Sequence, residues 1–162
     1  MKLLEIFKSS DEIWLDKQTL VFLRWIAIGG QLATISFVYF ILNFYFPFFY
    51  CIAIIFLGII TNIFLQYKEK QNLLSDFSSA LYLAYDLTQL SILIFLTGGI
   101  TNPFVLLLVI PSVVSSTFLS LKSTINLAII TSVFLLVLTI YYFPLPSSGN
   151  LHFHVPNYYL YG

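Results

Sequence analysis

Three long stretches of this chain carry no charged side chain, and that absence decides what the chain can fold into. No Asp, Glu, Lys or Arg lies between Arg24 and Lys68, between Asp86 and Lys122, or from Ser123 to Gly162. A soluble domain is about one-quarter charged; here the charged share is 9% and the apolar share 59%. Such a chain cannot coat itself with a water-compatible surface and needs lipid around it. Spanning β-barrels show alternating apolar and polar residues, and no such alternation runs through these stretches. The fold class expected is therefore all-α, a polytopic membrane helical bundle. One transmembrane helix takes roughly 20 apolar residues. The sequence predicts five spans, at about 20–43, 49–67, 78–97, 103–121 and 123–143, within a membrane region covering 19–162.

The seven basic residues set the orientation. Lys2, Lys8, Lys17 and Arg24 precede or open the first span, Lys68 and Lys70 follow the second, and Lys122 follows the fourth. All fall on one side, so the positive-inside rule predicts a cytoplasmic N-terminus. Residues 1–18 read as a cytoplasmic extension, either solvated or, through Leu3, Leu4, Ile6 and Phe7, lying on the membrane surface. No cleavable signal peptide is visible. Residues 144–157 read as a polar outer loop. The aromatic ending NYYLYG suits a membrane interface and reads as the start of a sixth helix from about 158. On that expectation the chain is a piece of a longer protein.

Several classes of function are excluded. A net charge of zero lacks the basic footprint of a nucleic-acid binder. A single cysteine, Cys51, rules out an intrachain disulfide and a thiolate zinc site. It reads as a small apolar residue, with an intermolecular disulfide as the alternative. His152 and His154, in the outer loop, have no nearby Cys, Asp or Glu with which to hold a metal. No catalytic constellation or phosphate loop is present.

The most informative stretch is TGGITNPF, Thr97 to Phe104, at the outer turn between the third and fourth spans. Gly98 and Gly99 can adopt backbone conformations closed to other residues and leave their N–H groups approachable. Asn102 adds a donor and an acceptor. Pro103 suits the first position of the next helix, and Phe104 adds a flat apolar face. N–H donors, an amide and a ring are what a quinone headgroup requires. The same residues also make an ordinary tight helical hairpin.

Deeper in the spans, Tyr82, Asp86 and Gln89 share one helix face by their i, i+4, i+7 spacing. A carboxylate at that depth needs a partner, and Arg24 and Lys122 are the cations on its side. Asp86 lies twelve residues before Gly98, roughly 18 Å along a helix axis, so it should not touch a ligand held at the turn. Pro111 should kink the fourth span, because it cannot donate to the carbonyl of Leu107. Ser112, Ser116 and Ser120 form a stripe suited to close packing. Gly29 with Ala33, and Gly30 with Thr34, form small-xxx-small pairs suited to helix packing or dimerisation, and Gln31 lies beside them.

The run DLTQLSILIFLTGGITNPF, Asp86 to Phe104, resembles the membrane domain of RegB/PrrB/ActS-type sensor histidine kinases, whose hallmark is a GGxxNPF heptapeptide in a short periplasmic loop. TLVFLRWIAIGGQL, from Thr19, is similar to that family's first helix, and PNYYLYG to its entry into a sixth. The resemblance implies a homodimeric, six-helix, quinone-sensing domain followed by a cytoplasmic kinase, which passes phosphate from its own histidine to a response regulator. It implies a site for ubiquinone or a related membrane quinone at Gly98, Gly99, Asn102, Pro103 and Phe104. The kinase, its phosphorylated histidine and the family's redox-active cysteine have no counterpart here. Cys51 does not correspond to that cysteine, and neither histidine is a phosphoacceptor. A ligand-free membrane scaffold or subunit, or a transporter fragment, is the alternative reading; the second is weak because no inverted repeat is evident.

Overall fold

The computed structural model describes residues 15–68 and 73–143. Helix α1 (Lys17–Phe40) begins three residues earlier than expected, because the Asp16 side chain caps it and accepts the Thr19 N–H at 3.1 Å. It ends at Phe40, three residues short of the expected 43, where the chain turns through Asn43 at φ 52°. Helix α2 covers Phe48–Lys68. Helix α3 (Asp76–Leu96) is capped by Ser75, a favoured N-cap type. The chain then enters a 3-10 turn at Gly99–Thr101 and a 3-10 helix at Pro103–Val109, which continues directly into α4 (Ile110–Phe118). Helix α5 runs over Leu121–Ile140, capped by Ser120. A two-residue pairing, β1 (Leu15–Asp16) with β2 (Leu73–Leu74), is antiparallel with Leu15 opposite Leu74. The extension to residue 14, the outer loop at 144–157, the expected sixth helix, His152 and His154 lie outside the described residues.

Four of these helices, α1, α2, α3 and α5, are long and apolar enough to cross a bilayer. The fourth span expected, 103–121, is a shorter apolar segment of mixed winding, Pro103–Phe118. Pro111 does not interrupt an α-helix. It occupies the first turn of one, where its missing N–H has no intrahelical partner to lose, and the 3-10 winding ends just before it. The serine stripe expected to pack is only partly the packed one: Pro111 and Ser115 are buried, whereas Ser116 is exposed and donates to the Val113 carbonyl of its own helix. Ser112 does reach across to Thr131 of α5 at 2.8 Å.

Helix α3 is the hub. Its Leu83 packs with Leu20, Leu65 and Leu127 toward the end where α1 begins. Leu93 packs with Ile28, Ile35, Cys51 and Ile55 toward the other end, and Leu87 and Ile94 pack with Leu108 and Leu138. Cys51 is completely buried in the second cluster. Large apolar side chains on the outer faces, such as Phe49, Phe77 and Leu136, remain exposed, as lipid-facing positions do. An aromatic group of Tyr39, Phe40, Phe46 and Phe48 collects at the α1–α2 turn, the residue type that favours a membrane interface. At the opposite end Asp76 accepts hydrogen bonds from the Ser120 N–H (2.6 Å), the Ser120 hydroxyl (2.8 Å) and the Ser123 hydroxyl (2.5 Å), holding the α4–α5 turn to the start of α3.

The glycines divide sharply. Gly99 has φ +55°, and a Cβ there would collide with the Tyr142 side chain and approach the Leu138 carbonyl to 2.9 Å. Gly29 and Gly30 have nothing within 4 Å of such an atom, so the small-residue face of α1 packs against nothing within the described chain. Gly99→Ala is expected to lower stability by more than the ~1–2 kcal/mol of the left-handed conformation alone. Gly29→Ala should be neutral or stabilising by up to about 1 kcal/mol. Unfolding by SDS titration from mixed micelles checks the order of the two.

Candidate functional site

The turn after α3 is built from its own residues. Gly98 at φ 118° and Gly99 at φ 55° reverse the chain in left-handed conformations that glycine adopts freely. Thr101 closes the turn, its hydroxyl donating to the Gly98 carbonyl at 2.6 Å. Asn102 then joins the end of α3 to the start of the next segment. Its Nδ2 donates to the Thr97 carbonyl (3.1 Å) and to the Thr97 hydroxyl (2.7 Å), while its Oδ1 accepts the Phe104 N–H (2.9 Å). Pro103 follows as the first helical residue. Gly98 and Gly99 are buried, with Gly99 against the end of α5. Asn102, Pro103 and Phe104 face a groove instead.

That groove arises because α1 packs on α2, and the Pro103–Phe118 segment on α3 and α5, leaving a space over one face of α3. Its volume is about 870 Å³. Its walls include Ile26, Ala27, Gly30 and Thr34 of α1, Leu83, Leu90 and Ile94 of α3, and Leu107, Ile110 and Pro111 opposite. The lining is overwhelmingly apolar, with a few polar groups, the composition of a small-molecule site.

The polar groups deep in the groove come from α1 and α3, backed by α2. Arg24, 4% exposed, donates from Nε to Asp86 Oδ1 at 2.9 Å, and its Nη2 lies 2.9 Å from the same oxygen. Nη2 also donates to the Thr61 hydroxyl (2.9 Å), which in turn donates to the Gly58 carbonyl (3.0 Å). The guanidinium lies 5.6 Å from the ring centroids of both Tyr82 and Tyr85, within range of cation–π attraction. Of the two cations on the right side of the sequence, the structure selects Arg24; Lys122 is exposed at the start of α5. Three residues beyond Asp86 on α3, toward the loop, Gln89 Nε2 donates to Gln31 Oε1 at 3.3 Å.

Arg24, Gln31, Asp86 and Gln89 all line the same groove as Asn102, Pro103 and Phe104. The depth argument from the sequence therefore stands beside a new fact. Asp86 is far from the loop along its helix, yet the two lie at opposite ends of one continuous space. Gly58, Thr61 and Asn62 of α2 were not singled out in the sequence. Asn62 is fully buried and donates to the Val21 carbonyl at 3.2 Å. Polar residues inside a charge-free span were the available signal, because a polar group in hydrocarbon must find a partner.

Fold and groove together define a multi-span helical membrane domain with an intramembrane cleft floored by an ion pair. Over 150 residues, 92% of its length, the chain is 35% identical to the sensor histidine kinase RegB of Cereibacter sphaeroides. A second RegB from the same species is 35% identical over 79 residues, 48% of this chain and 17% of that protein. The chain is a RegB-type sensor-kinase membrane domain. It spans about a third of the first relative's length (32%). No family model matches it, and no solved structure does.

The ion pair generates a prediction. Removing one partner strands a buried charge and costs about 3–5 kcal/mol, whereas replacing both with apolar groups is often near neutral. Arg24→Leu and Asp86→Leu should each destabilise strongly, and the double variant by less than either. SDS unfolding of the four proteins in the cycle gives the coupling energy directly.

Proposed function

We propose that this domain is the redox-sensing input of a sensor histidine kinase and that its ligand is a membrane quinone held in the groove beneath the GGITNPF turn. The carrying observation is that Asn102, Pro103 and Phe104 line an apolar groove of quinone-like character. The RegB relationship supports the rest of the reading: a kinase region elsewhere in the parent protein, a response regulator as its partner, and a homodimer. The exposed Gly29 and Ala33 offer a small-residue surface for that dimer. In this reading Gly98 and Gly99 shape the turn, and Asn102, Pro103 and Phe104 meet the ligand. The distribution of basic residues supports a cytoplasmic N-terminus, and the RegB relationship supports a bacterial inner membrane.

Signalling requires that oxidised and reduced ligand favour different conformations, or nothing is transmitted. The 3-10 segment Pro103–Val109 couples the turn to α4, and a 3-10 stretch within a helix is a usual place for a hinge. Pro111→Ala, which frees the φ that proline fixes at this junction, is expected to blunt the response of kinase activity to the quinone pool by more than it weakens binding. A full-length kinase in vesicles poised with ubiquinone or ubiquinol reads both.

The binding itself is tested with the domain in nanodiscs. Phe104→Ala and Asn102→Ala should weaken ubiquinone binding at least tenfold without loss of helical content. A ligand-free hairpin is the second reading, favoured by one fact: every polar group of the Asn102 side chain is used within the turn. Absence of binding by the folded wild-type domain would select it.

A further inference from the structure

The polar side chains of the turn are committed to the turn. Asn102 uses both ends of its amide, the Thr101 hydroxyl donates to Gly98, and the Thr97 hydroxyl donates to Leu93. A ligand that recruited them would have to dismantle the chain reversal. The floor of the groove is different. The Gln31–Gln89 pair makes one long hydrogen bond of 3.3 Å, and the other half of each amide has no hydrogen-bond partner among the described residues. Below it, Nη1 of the buried Arg24 has none either. Both glutamines line the groove, so the open donor and acceptor positions of their amides face a space where a polar ligand group can meet them.

Resting on the quinone reading above, we propose that the ring is read deep in the groove, by the amide pair Gln31–Gln89 above the Arg24–Asp86 ion pair, and that the Asn102–Phe104 segment forms the mouth through which it enters. Gln89 lies eight residues before Thr97, so the recognition point is roughly 12 Å below the turn. The position is built. The Gln89 amide rests against Gly58 of α2, where a Cβ would come within 2.6 Å of both Oε1 and Nε2. Any larger residue there drives the amide off its seat.

The chemistry suits a ligand that exists in two forms. An oxidised ring presents carbonyl oxygens that only accept, and a reduced ring presents hydroxyls that also donate. A primary amide carries both a donor and an acceptor, so the pair engages either form by choosing which half it presents. Gln31 belongs to α1 and Gln89 to α3. A ring held between them therefore acts on the spacing of the two helices that the Arg24–Asp86 pair ties together.

The test uses the full chain in nanodiscs with ubiquinone-1 and ubiquinol-1. Gln31→Met and Gln89→Met are close in shape and remove the amides. Gly58→Ala keeps both glutamines and displaces one. Each variant is expected to lose at least tenfold in affinity. Independently, a ring-azido ubiquinone photolysed on the wild-type chain should label α1 within residues 27–35 or α3 within residues 86–93. Wild-type binding that the Met variants retain within tenfold overturns this inference and leaves the quinone reading standing. So do adducts confined to residues 101–107, whereas adducts found only outside the groove overturn both. Failure of the wild-type chain to bind either form overturns both. A variant that does not fold leaves the labelling pattern to decide.

Discussion

The Arg24–Asp86 pair is the constraint from which the rest of the arrangement follows. An unpaired Arg or Asp at the centre of a spanning helix costs about 2.5–3.5 kcal/mol on insertion scales and more by simulation. Surface ion pairs, by comparison, contribute about 0–1 kcal/mol. The sign of the effect is therefore set by burial: the pair adds little net stability over an apolar filling, but either partner alone is expensive. That asymmetry makes it a register device. Helix α1 meets α3 across the groove where Arg24 pairs with Asp86. The third arm to Thr61 and on to the Gly58 carbonyl fixes α2 against both. Three helices with featureless apolar faces acquire one relative position.

With α1 and α2 fixed on one side of α3, the remaining segments have little choice. Asp76 at the start of α3 holds the α4–α5 turn through three hydrogen bonds. At the other end Phe143 donates its N–H back to the Phe95 carbonyl at 3.0 Å. Helix α5 is thus tied to α3 at both ends, and the short Pro103–Phe118 segment is held between them. The groove is what remains over the face of α3 that neither neighbour covers. It is a consequence of which contacts the charges and caps enforce, and its polar floor consists of the same residues that enforce them.

Much of this was legible in the chain before folding, for identifiable reasons. The spans follow from the charge-free runs, because hydrocarbon penalises a charge so heavily that almost no other pattern survives. Asp86 and Gln89 announce themselves by being polar at depth, and charge position narrows the partner to two cations. What hydropathy cannot see is backbone detail. An apolar run reads alike in 3-10 and α winding, so the residues from Pro103 to Val109 gave no warning. Helix ends shifted by a few residues because Asp16, Ser75 and Ser120 act through local hydrogen bonds that no apolar average contains. The importance of Gly58 lies in what it lacks, and only the neighbouring Gln89 reveals it. The serine stripe misled because 3.6-residue periodicity identifies a face without saying which face is turned inward; Pro111 and Ser115 took that position.

The GGITNPF motif shows why a recognisable signature and a ligand site need not be the same thing. Its glycines satisfy a backbone demand: two successive residues at positive φ, one of them where α5 leaves no room for a side chain. Its asparagine satisfies the polar groups freed by the reversal. Only the proline and the aromatic ring are left with faces that serve no internal purpose, and both look into the groove. A motif of this kind preserves the shape of an opening. The groups with unspent hydrogen-bonding capacity lie further in, on helices whose positions the ion pair dictates. Recognition chemistry placed there is coupled to helix spacing by construction, because any ligand that redirects Gln31 or Gln89 acts on α1 and α3 beside the contact that registers them. Held at the turn alone, the same ligand would act on residues whose bonds close on themselves.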